Sequence, residues 1–269
     1  LIVTCSLPPA FVISLAGGTK RREQVAAHLN ERGIPFTFFD AVDGRTFDIQ
    51  TMPVYNGARR RAYFGRDLRG GEIGCLLSHK SIAQKIVDEN ISHVLVLEDD
   101  VILSPDFARV LRDVMNLSYP WELVRFLGSA KVAAARQRTV AKIDNHYRLT
   151  RLSTAPGGAH AYLLSLSGAR KLLRALERIY LPVDMIMSRP WITGIDLLTA
   201  QPGLANQDLD LESSIGTVRD LKTPDDLSGW RRGLYPLTRA WFKLSDTVMR
   251  RVCYALTWPR DLVNHIKAG

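Results

Sequence analysis

The stretch HVLVLEDDVIL, residues 93–103, sets three adjacent carboxylates, Glu98, Asp99 and Asp100, inside a run of aliphatics. A carboxylate in apolar surroundings either takes up a proton or finds a partner. Three together repel one another and call for a cation. Side chains alternate along an extended chain, which predicts Glu98 and Asp100 on one side and Asp99 on the other. A turn closing the strand explains a single Asp well; it explains three poorly. Hard oxygen ligands favour Mg²⁺ or Mn²⁺, ions that commonly sit on one or two carboxylates plus substrate phosphates. On the pattern alone, metal-assisted phosphate chemistry and a structural turn both stay open.

The surrounding elements read as an α/β domain. AFVISL (10–15) suits a strand, and residues 19–32 suit a helix with Val25, Ala26 and Leu29 on one side and Gly33 as its stop. IPFTFFDAVDG reads as a second strand entering a turn. Periodicity fades over 45–71, where NGARRRAYFGRDLRGG reads as a basic loop. From Glu72 to Glu89 a helical face returns, carrying Ile73, Leu76, Leu77, Ala83, Ile86 and Val87. SPDFARVLRDVMN offers a Ser cap and a Pro at the first helical position. WELVRFLG, HYRLTRL and HAYLLSL read as strands, SGARKLLRALERI as a capped amphipathic helix. Beyond Pro182 the chain reads as irregular until a basic, aromatic tail, and no internal repeat is evident. Aliphatic strands spaced by helices predict a largely parallel sheet covered on both faces. Ligands of such sheets gather outside the C-terminal strand ends, where HVLVL meets the triplet.

A chain of 269 residues suits one large domain, or one domain with an appended element. Cys5, Cys75 and Cys253 are odd in number, far apart and in no CxxC pair, which predicts neither a disulfide framework nor a structural zinc site, and a reducing compartment. No run approaches the roughly 18 apolar residues of a membrane span. The opening LIVTCSLPPAFVISL lacks the basic start and cleavage site of a signal peptide, so a cytoplasmic chain with a trimmed N-terminus is expected.

The net charge of +9 implies anionic partners. Residues 222–269 hold nine Lys/Arg and four Asp, a net of +5, interleaved with Trp230, Tyr235, Trp241, Phe242, Tyr254 and Trp258. This mixture predicts two amphipathic helices of the kind that lie at an anionic membrane surface. Packing on the core by the apolar side is the plainer reading and is compatible with it. Arg59, Arg60, Arg61 and the tail would also suit a nucleic-acid binder. The acidic triplet and the absence of a nucleic-acid motif argue against that class.

FVISLAGGTKRR (11–22), FDAVDG (39–44), GEIGCLLSHK (71–80), VLEDDV (96–101), GGAHAYLLSLSGARKLL (157–173), LPVD (181–184) and LESSI (211–215) follow one another in that order. Together they resemble glycosyltransferase family 25, the lipopolysaccharide and lipooligosaccharide glycosyltransferases related to the collagen galactosyltransferases. LEDD alone is a weak signal; GEIGCLLSH followed about twenty residues later by LEDD is a specific one.

The resemblance implies a GT-A-like, Rossmann-type nucleotide-sugar domain over 1–221 with a basic extension over 222–269. It further implies a UDP-hexose donor such as UDP-galactose, Mn²⁺ or Mg²⁺, and inversion at the anomeric carbon. The triplet takes the place of the DxD-type motif, with Asp100 as principal metal ligand and Glu98 or Asp99 assisting and facing the donor. Asp184 becomes the candidate general base, with Asp196 and Asp208 in reserve; its plain reading is a turn or helix-cap Asp.

By the same resemblance Ser14, Leu15, Arg21 and Arg22 hold the nucleotide, either arginine contacting phosphate or base. Asp43 and Gly44 form a second pocket edge, and Ser78 and His79 contact the donor, with Lys80 a weaker candidate. Gly157 and Gly158 let a ligand approach the backbone. His160 and Tyr162 alternate on the next strand and can face the sugar site together. A solvated helix face, an Asp-Gly turn, a packing His and half-buried strand residues are the respective plain readings. The implied acceptor is a lipid-linked saccharide, which predicts peripheral attachment to the cytoplasmic face of a bacterial inner membrane and no nucleic-acid partner. The rivals are a nucleotidyltransferase or other sugar-nucleotide enzyme, and a scaffold that kept the fold and lost catalysis.

Overall fold

The structure is a computed structural model that describes residues 7–208 and 226–268. Strand β1 (Ala10–Ser14) leads through helix α1 (Thr19–Glu31) to β2 (Thr37–Asp40). Helices α2 (Gly57–Phe64) and α3 (Gly70–Asp88) precede β3 (His93–Glu98), the short β4 (Val101–Leu103) and α4 (Phe107–Met115). Next come β5 (Leu123–Arg125), α5 (Ala130–Ala133), the hairpin β6 (Gln137–Lys142) and β7 (Arg148–Leu152), β8 (Ala161–Ser165) and α6 (Leu166–Ala175). Two short helices, α7 (Val183–Met187) and α8 (Pro190–Thr193), lead to β9 (Leu197–Gln201) and β10 (Ala205–Gln207). The chain closes with α9 (Trp230–Leu256) and α10 (Trp258–Ala268).

Among the described residues, eight strands form one sheet in the order β2-β1-β3-β8-β5-β9-β7-β6. β1 is parallel to β2 and β3, and β5 to β9, while β8 opposes both its neighbours and β7 opposes β9 and β6. Six strands therefore run one way, and only β7 and β8 run against them. The expected α/β architecture with a mostly parallel sheet is met. Strand β3 illustrates why: Leu95 and Leu97 enter the core under α1 and α4, and Val94 and Val96 enter the opposite core with α3 and α6. A strand buried on both faces has to be apolar throughout.

Three readings of the sequence are corrected. The basic loop over 45–71 contains α2, begun by the Asn56 side chain accepting Arg59 N at 2.9 Å and ended at Gly65 with φ 75°. Its inward residue is Arg60, 1 % exposed, stacked 4.1 Å over Phe64 and 3.5 Å from Glu72, so a search for apolar periodicity passes over it. Helix α4 starts at Phe107 behind Asp106, and Ser104 contributes its carbonyl to Phe107 N rather than a side-chain cap. The stretch after Pro182 is ordered as α7, α8, β9 and β10, and β9 lies inside the sheet between β5 and β7. LLTAQ is short and contains two polar residues, which hides a strand whose partners are remote in sequence.

The two tail helices form as expected, but their attachment inverts the plain reading. Phe242 packs 5.0 Å from both Tyr63 and Phe64. The other anchors are polar: Arg189 Nε meets Asp246 at 2.7 Å, and the fully buried Asp261 meets Arg151 Nε at 2.8 Å and Arg138. The apolar stripe Trp230, Leu234, Leu237, Trp241, Leu244, Val248, Val252 and Leu256, spaced three or four residues apart, is left exposed. No helix among the described residues is long and apolar enough to cross a membrane. The expected boundary at 221/222, Cys5 and the LESSI segment lie outside the described residues; Cys75 and Cys253 are free thiols.

Candidate active site

β1 and β3 are neighbours in register, with Ile13 opposite Glu98, so their C-terminal ends open at one edge. β3 stops at Glu98, and Asp99 and Asp100 form the turn into β4. Strand alternation ends with the strand. All three carboxylates therefore line one cavity of about 150 Å³, together with Ser14, Leu15, Arg21, Asp43, Gly44, Ser78 and His79. The expected split of the triplet onto two sides is corrected by that turn.

The three acids have different partners. Asp99 accepts Ser14 Oγ at 2.7 Å and pairs with Arg21 at 2.9 Å. Asp100 Oδ2 lies 3.5 Å from Arg21 and 3.3 Å from Gln207 Nε2, while its buried Oδ1 has no partner among the described residues. Burial and the neighbouring Glu98 push the Asp100 carboxyl up to about 7, against the pull of Arg21. Glu98 faces His79 Nε2 at 3.2 Å and Cys75 Sγ at 3.8 Å. Burial alone would raise the Glu98 pKa, but the His79 hydrogen bond and the nearby imidazoles hold it below its ordinary value.

The unpartnered Oδ1 fits Asp100 as a ligand for Mg²⁺ or Mn²⁺. Asp99 is committed to Ser14 and Arg21, and Glu98 to His79 and Cys75. Arg21 is the counter-ion of the acidic turn through its two terminal nitrogens and lines the cavity as well. Arg22 bonds Ser14 O at 2.9 Å, pairs with Asp40 and stacks 4.8 Å over Phe38; it does not line the cavity, and neither does Lys80.

The AVDG loop is seated on α3 by glycines. A Cβ on Gly44 would fall 1.9 Å from Gly70 O, and one on Gly74 would fall 2.4 Å from Val42 O. Ser78 Oγ accepts Val42 N at 2.9 Å and donates to Gly74 O at 2.7 Å, so it fixes this loop. Asp43 is pinned by Arg45, which holds its carboxyl down at about 2. We expect Gly74→Ala to cost about 1–3 kcal/mol by overpacking and to weaken ligand binding in the cavity. Urea unfolding beside a ligand thermal shift measures both effects.

Asp184 stands in the first turn of α7 and accepts Gly158 N at 3.0 Å. A Cβ on Gly157 would lie 2.7 Å from Asp184 Oδ2, and Gly158 has φ 98°, so these glycines let the loop close onto Asp184. Asp184 does not line the donor-side cavity, whose residues include Cys75, Glu98 and Asp100.

Arg125 was not singled out from the sequence, and an Arg inside the strand-like WELVRFLG was its only signal. It is 1 % exposed on β5, and it donates to Pro156 O at 2.9 Å, to Ser188 Oγ at 2.8 Å and to Gly158 O. It thereby locks the glycine loop to α7, while burial lowers its own pKa to about 10.

His160 and Tyr162 do not jointly face an open sugar site. Tyr162 is buried, with Oη 2.7 Å from His79 Nδ1, and His160 is buried with Nε2 3.3 Å from Ala205 O. Burial lowers the His160 pKa. Of the reserve bases, Asp196 is taken by Arg151 at 2.8 Å and Tyr119 at 2.9 Å, away from the cavity. Asp208 N bonds Asp100 O at 2.8 Å, beside the triplet.

Residues 7–187 match Glycosyltransferase family 25 (LPS biosynthesis protein). A probable inactive glycosyltransferase 25 family member 3 of Bos taurus is 36% identical over 190 residues, 65% of this chain and 30% of that protein. Procollagen galactosyltransferase 1 of Danio rerio is 32% identical over 189 residues, again 65% of this chain and 30% of that protein. The chain thus spans about a third of the length of the curated relatives it matches. A crystal structure of a glycosyltransferase involved in the glycosylation of the major capsid of PBCV-1 superposes over 87% of this chain and 100% of that one, with 10% identity and a TM-score of 0.41. At that level the superposition adds nothing to the fold described above. The match runs through the β1 edge, the GEIGC helix and the acidic turn, which build most of the cavity, and on to the Asp184 helix, and the chain belongs to glycosyltransferase family 25.

Proposed function

We propose that this chain transfers a hexose, galactose from UDP-galactose, to a hydroxyl of a saccharide acceptor with inversion of configuration. The observation that carries this reading is the edge cavity in which Asp100 keeps a buried, unpartnered carboxylate oxygen beside Ser14, Asp43 and His79. The galactose assignment leans on the relatives named procollagen galactosyltransferases.

A divalent cation held by Asp100 would supply charge stabilisation for a departing diphosphate. The chain's own residues do the rest. Arg21 and Ser14 fix Asp99, which holds the acidic turn in place. Arg125 and the Gly157–Gly158 loop orient the Asp184 carboxylate, which takes the proton from the acceptor hydroxyl on the side of the sugar opposite the leaving group. Buried His160 and the hydrogen-bonded Tyr162–His79 pair pack behind the carboxylates.

A thermal-shift screen of UDP-sugars with and without Mn²⁺ tests the donor, since a ligand of the native state raises stability by mass action. Expected is a Mn²⁺-dependent rise with UDP-galactose and formation of a galactosylated product. Pyrophosphate release from a nucleoside triphosphate would indicate a nucleotidyltransferase. Relatives named inactive favour a second reading, a fold that kept its ligand and lost transfer. Donor binding without turnover over a panel of acceptors would establish that reading instead.

The acceptor is a lipid-linked saccharide, as in lipopolysaccharide assembly, and the protein works at the cytoplasmic face of an anionic membrane. Supporting this is the outward stripe of α9 and α10, with Trp230, Trp241 and Trp258 along it and Arg231, Arg232, Lys243 and Arg251 on the same helices. Leu237→Glu combined with Leu244→Glu is expected to weaken binding to phosphatidylglycerol vesicles about a hundredfold. Co-sedimentation against phosphatidylcholine vesicles checks this; unchanged binding would remove the membrane assignment.

A further inference from the structure

Three groups at the inner end of the donor cavity are of a different chemical type from Asp100. Cys75 and His79 stand one turn apart on α3, and Glu98 ends the facing strand β3. Cys75 Sγ, His79 Nε2 and a Glu98 carboxylate oxygen all lie within 4.8 Å of one another. The Sγ to Oε1 separation is 3.8 Å, and that from Nε2 to Oε1 is 3.2 Å. A tetrahedral ion with bonds of about 2.0–2.3 Å needs donor atoms about 3.3–3.8 Å apart; the Sγ to Oε1 separation meets this, and the Nε2 to Oε1 separation needs to open by about a tenth of an ångström.

We infer that Cys75, His79 and Glu98 form a binding site for Zn²⁺ or a similarly thiophilic divalent ion, distinct from the oxygen site at Asp100. Thiolate, imidazole and carboxylate are the donor set Zn²⁺ takes, whereas Mg²⁺ and Mn²⁺ favour oxygen. The imidazole is already oriented for this. Tyr162 Oη lies 2.7 Å from Nδ1, where it can accept Nδ1–H once Nε2 gives up to a metal ion the place of the proton it shares with Glu98. Such outer-shell bonds fix the tautomer of a metal-binding histidine. All three side chains line the 150 Å³ cavity, which provides the entry path and leaves the fourth position for water. On binding, Cys75 Sγ gives up its proton to solvent and coordinates as thiolate.

Two kinds of metal chemistry thus share one cavity. A Zn²⁺ ion at the inner site would draw Glu98 away from its bond with His79 and occupy space beside the acidic turn, and it would compete with a nucleotide there. The site itself stands on ligand geometry, whatever substrate the cavity takes.

Zinc affinity of the full chain is measured by competition with a chromophoric chelator, and Co²⁺ is titrated as a spectroscopic substitute. Expected are one tight zinc equivalent and a thiolate-to-cobalt charge-transfer band. Cys75→Ser should abolish the band and weaken Zn²⁺ by more than the roughly 10–100-fold that loss of an outer-shell partner costs. Tyr162→Phe should retain the band and weaken Zn²⁺ within that range. Circular dichroism verifies that each variant is folded, and Cys75→Ala serves if Cys75→Ser is not. Absence of the band in the unaltered chain, or equal loss of Zn²⁺ in Asp100→Asn and Cys75→Ser, would overturn the site. The Mn²⁺-dependent UDP-galactose shift is scored separately, in the presence of a zinc chelator, so failure of either assignment leaves the other standing.

Discussion

Asp100→Asn is expected to reduce hexose transfer about a thousandfold at saturating donor, because removing several kcal/mol of charge stabilisation from the leaving group corresponds to about three powers of ten in rate. The same substitution should leave the fold intact and raise the stability of the metal-free protein at neutral pH. Asp100 is the acid of the triplet with a buried oxygen that has no partner among the described residues, and burial with the neighbouring Glu98 pushes its pKa up to about 7. A group raised in this way favours the folded state below its unfolded pKa, and that contribution is lost as pH rises through about 7. The metal-free chain should therefore lose stability between the ordinary carboxylate range and about pH 7, and Asp100→Asn should flatten that decline. Proton competition works in the opposite direction on the metal. Affinity for Mn²⁺ should fall about tenfold for each pH unit below about 7, since the ligand must first lose its proton. Isothermal titration with Mn²⁺ at several pH values and urea titrations without metal read the two trends. Unaltered turnover in Asp100→Asn at saturating Mn²⁺ would refute its role.

Asp184→Asn should lower kcat by about 10²–10⁴, the usual contribution of a general base, while the donor-induced thermal shift remains. The separation of effects matters because Asp184 also holds backbone: it accepts Gly158 N at 3.0 Å and packs where Gly157 has no Cβ. Asn keeps an acceptor oxygen for Gly158 N but loses the one that accepts Met185 N at 2.7 Å, so urea unfolding of the variant is measured beside its kcat. A purely structural Asp184 would tolerate Asn with kcat within a few-fold. Moving the loop instead, by Arg125→Met, should remove the Arg125 donor from Gly158 O and leave Pro156 O held only by Ser188 Oγ at 2.6 Å. That variant should lose stability as well as kcat, which distinguishes orientation of the carboxylate from its chemistry.

What was legible in the sequence was mostly local. The aliphatic strands β1, β3, β5 and β8, the long helix α3 and the pair of tail helices follow from periodicity, because each buries a continuous apolar surface. Helix α2 was hidden because its buried residue is Arg60, whose partner Glu72 belongs to the next helix. Strand β9 was hidden because its neighbours β5 and β7 lie 45 or more residues back in the chain, and register between remote strands leaves no local mark.

The candidate site divides in the same way. The order of FVISL, GEIGC, LEDD and LPVD determined which family this is and that Asp100 and Asp184 were the acids to examine. Tertiary structure alone decided how those acids are employed. The end of β3 at Glu98 turned three carboxylates into one cavity, where alternation along a strand would have divided them. Arg21 and Ser14 took Asp99 out of contention as a free ligand, and Cys75 and His79 engaged Glu98, leaving Asp100 with the unpartnered oxygen. The tail shows the division most plainly. Its composition specified amphipathic helices, but buried ion pairs through Asp246 and Asp261 decided that the polar side faces the protein and the apolar side faces outward. Helical spacing fixes which residues share a face; which face turns inward depends on partners supplied by distant strands, and no local pattern encodes those.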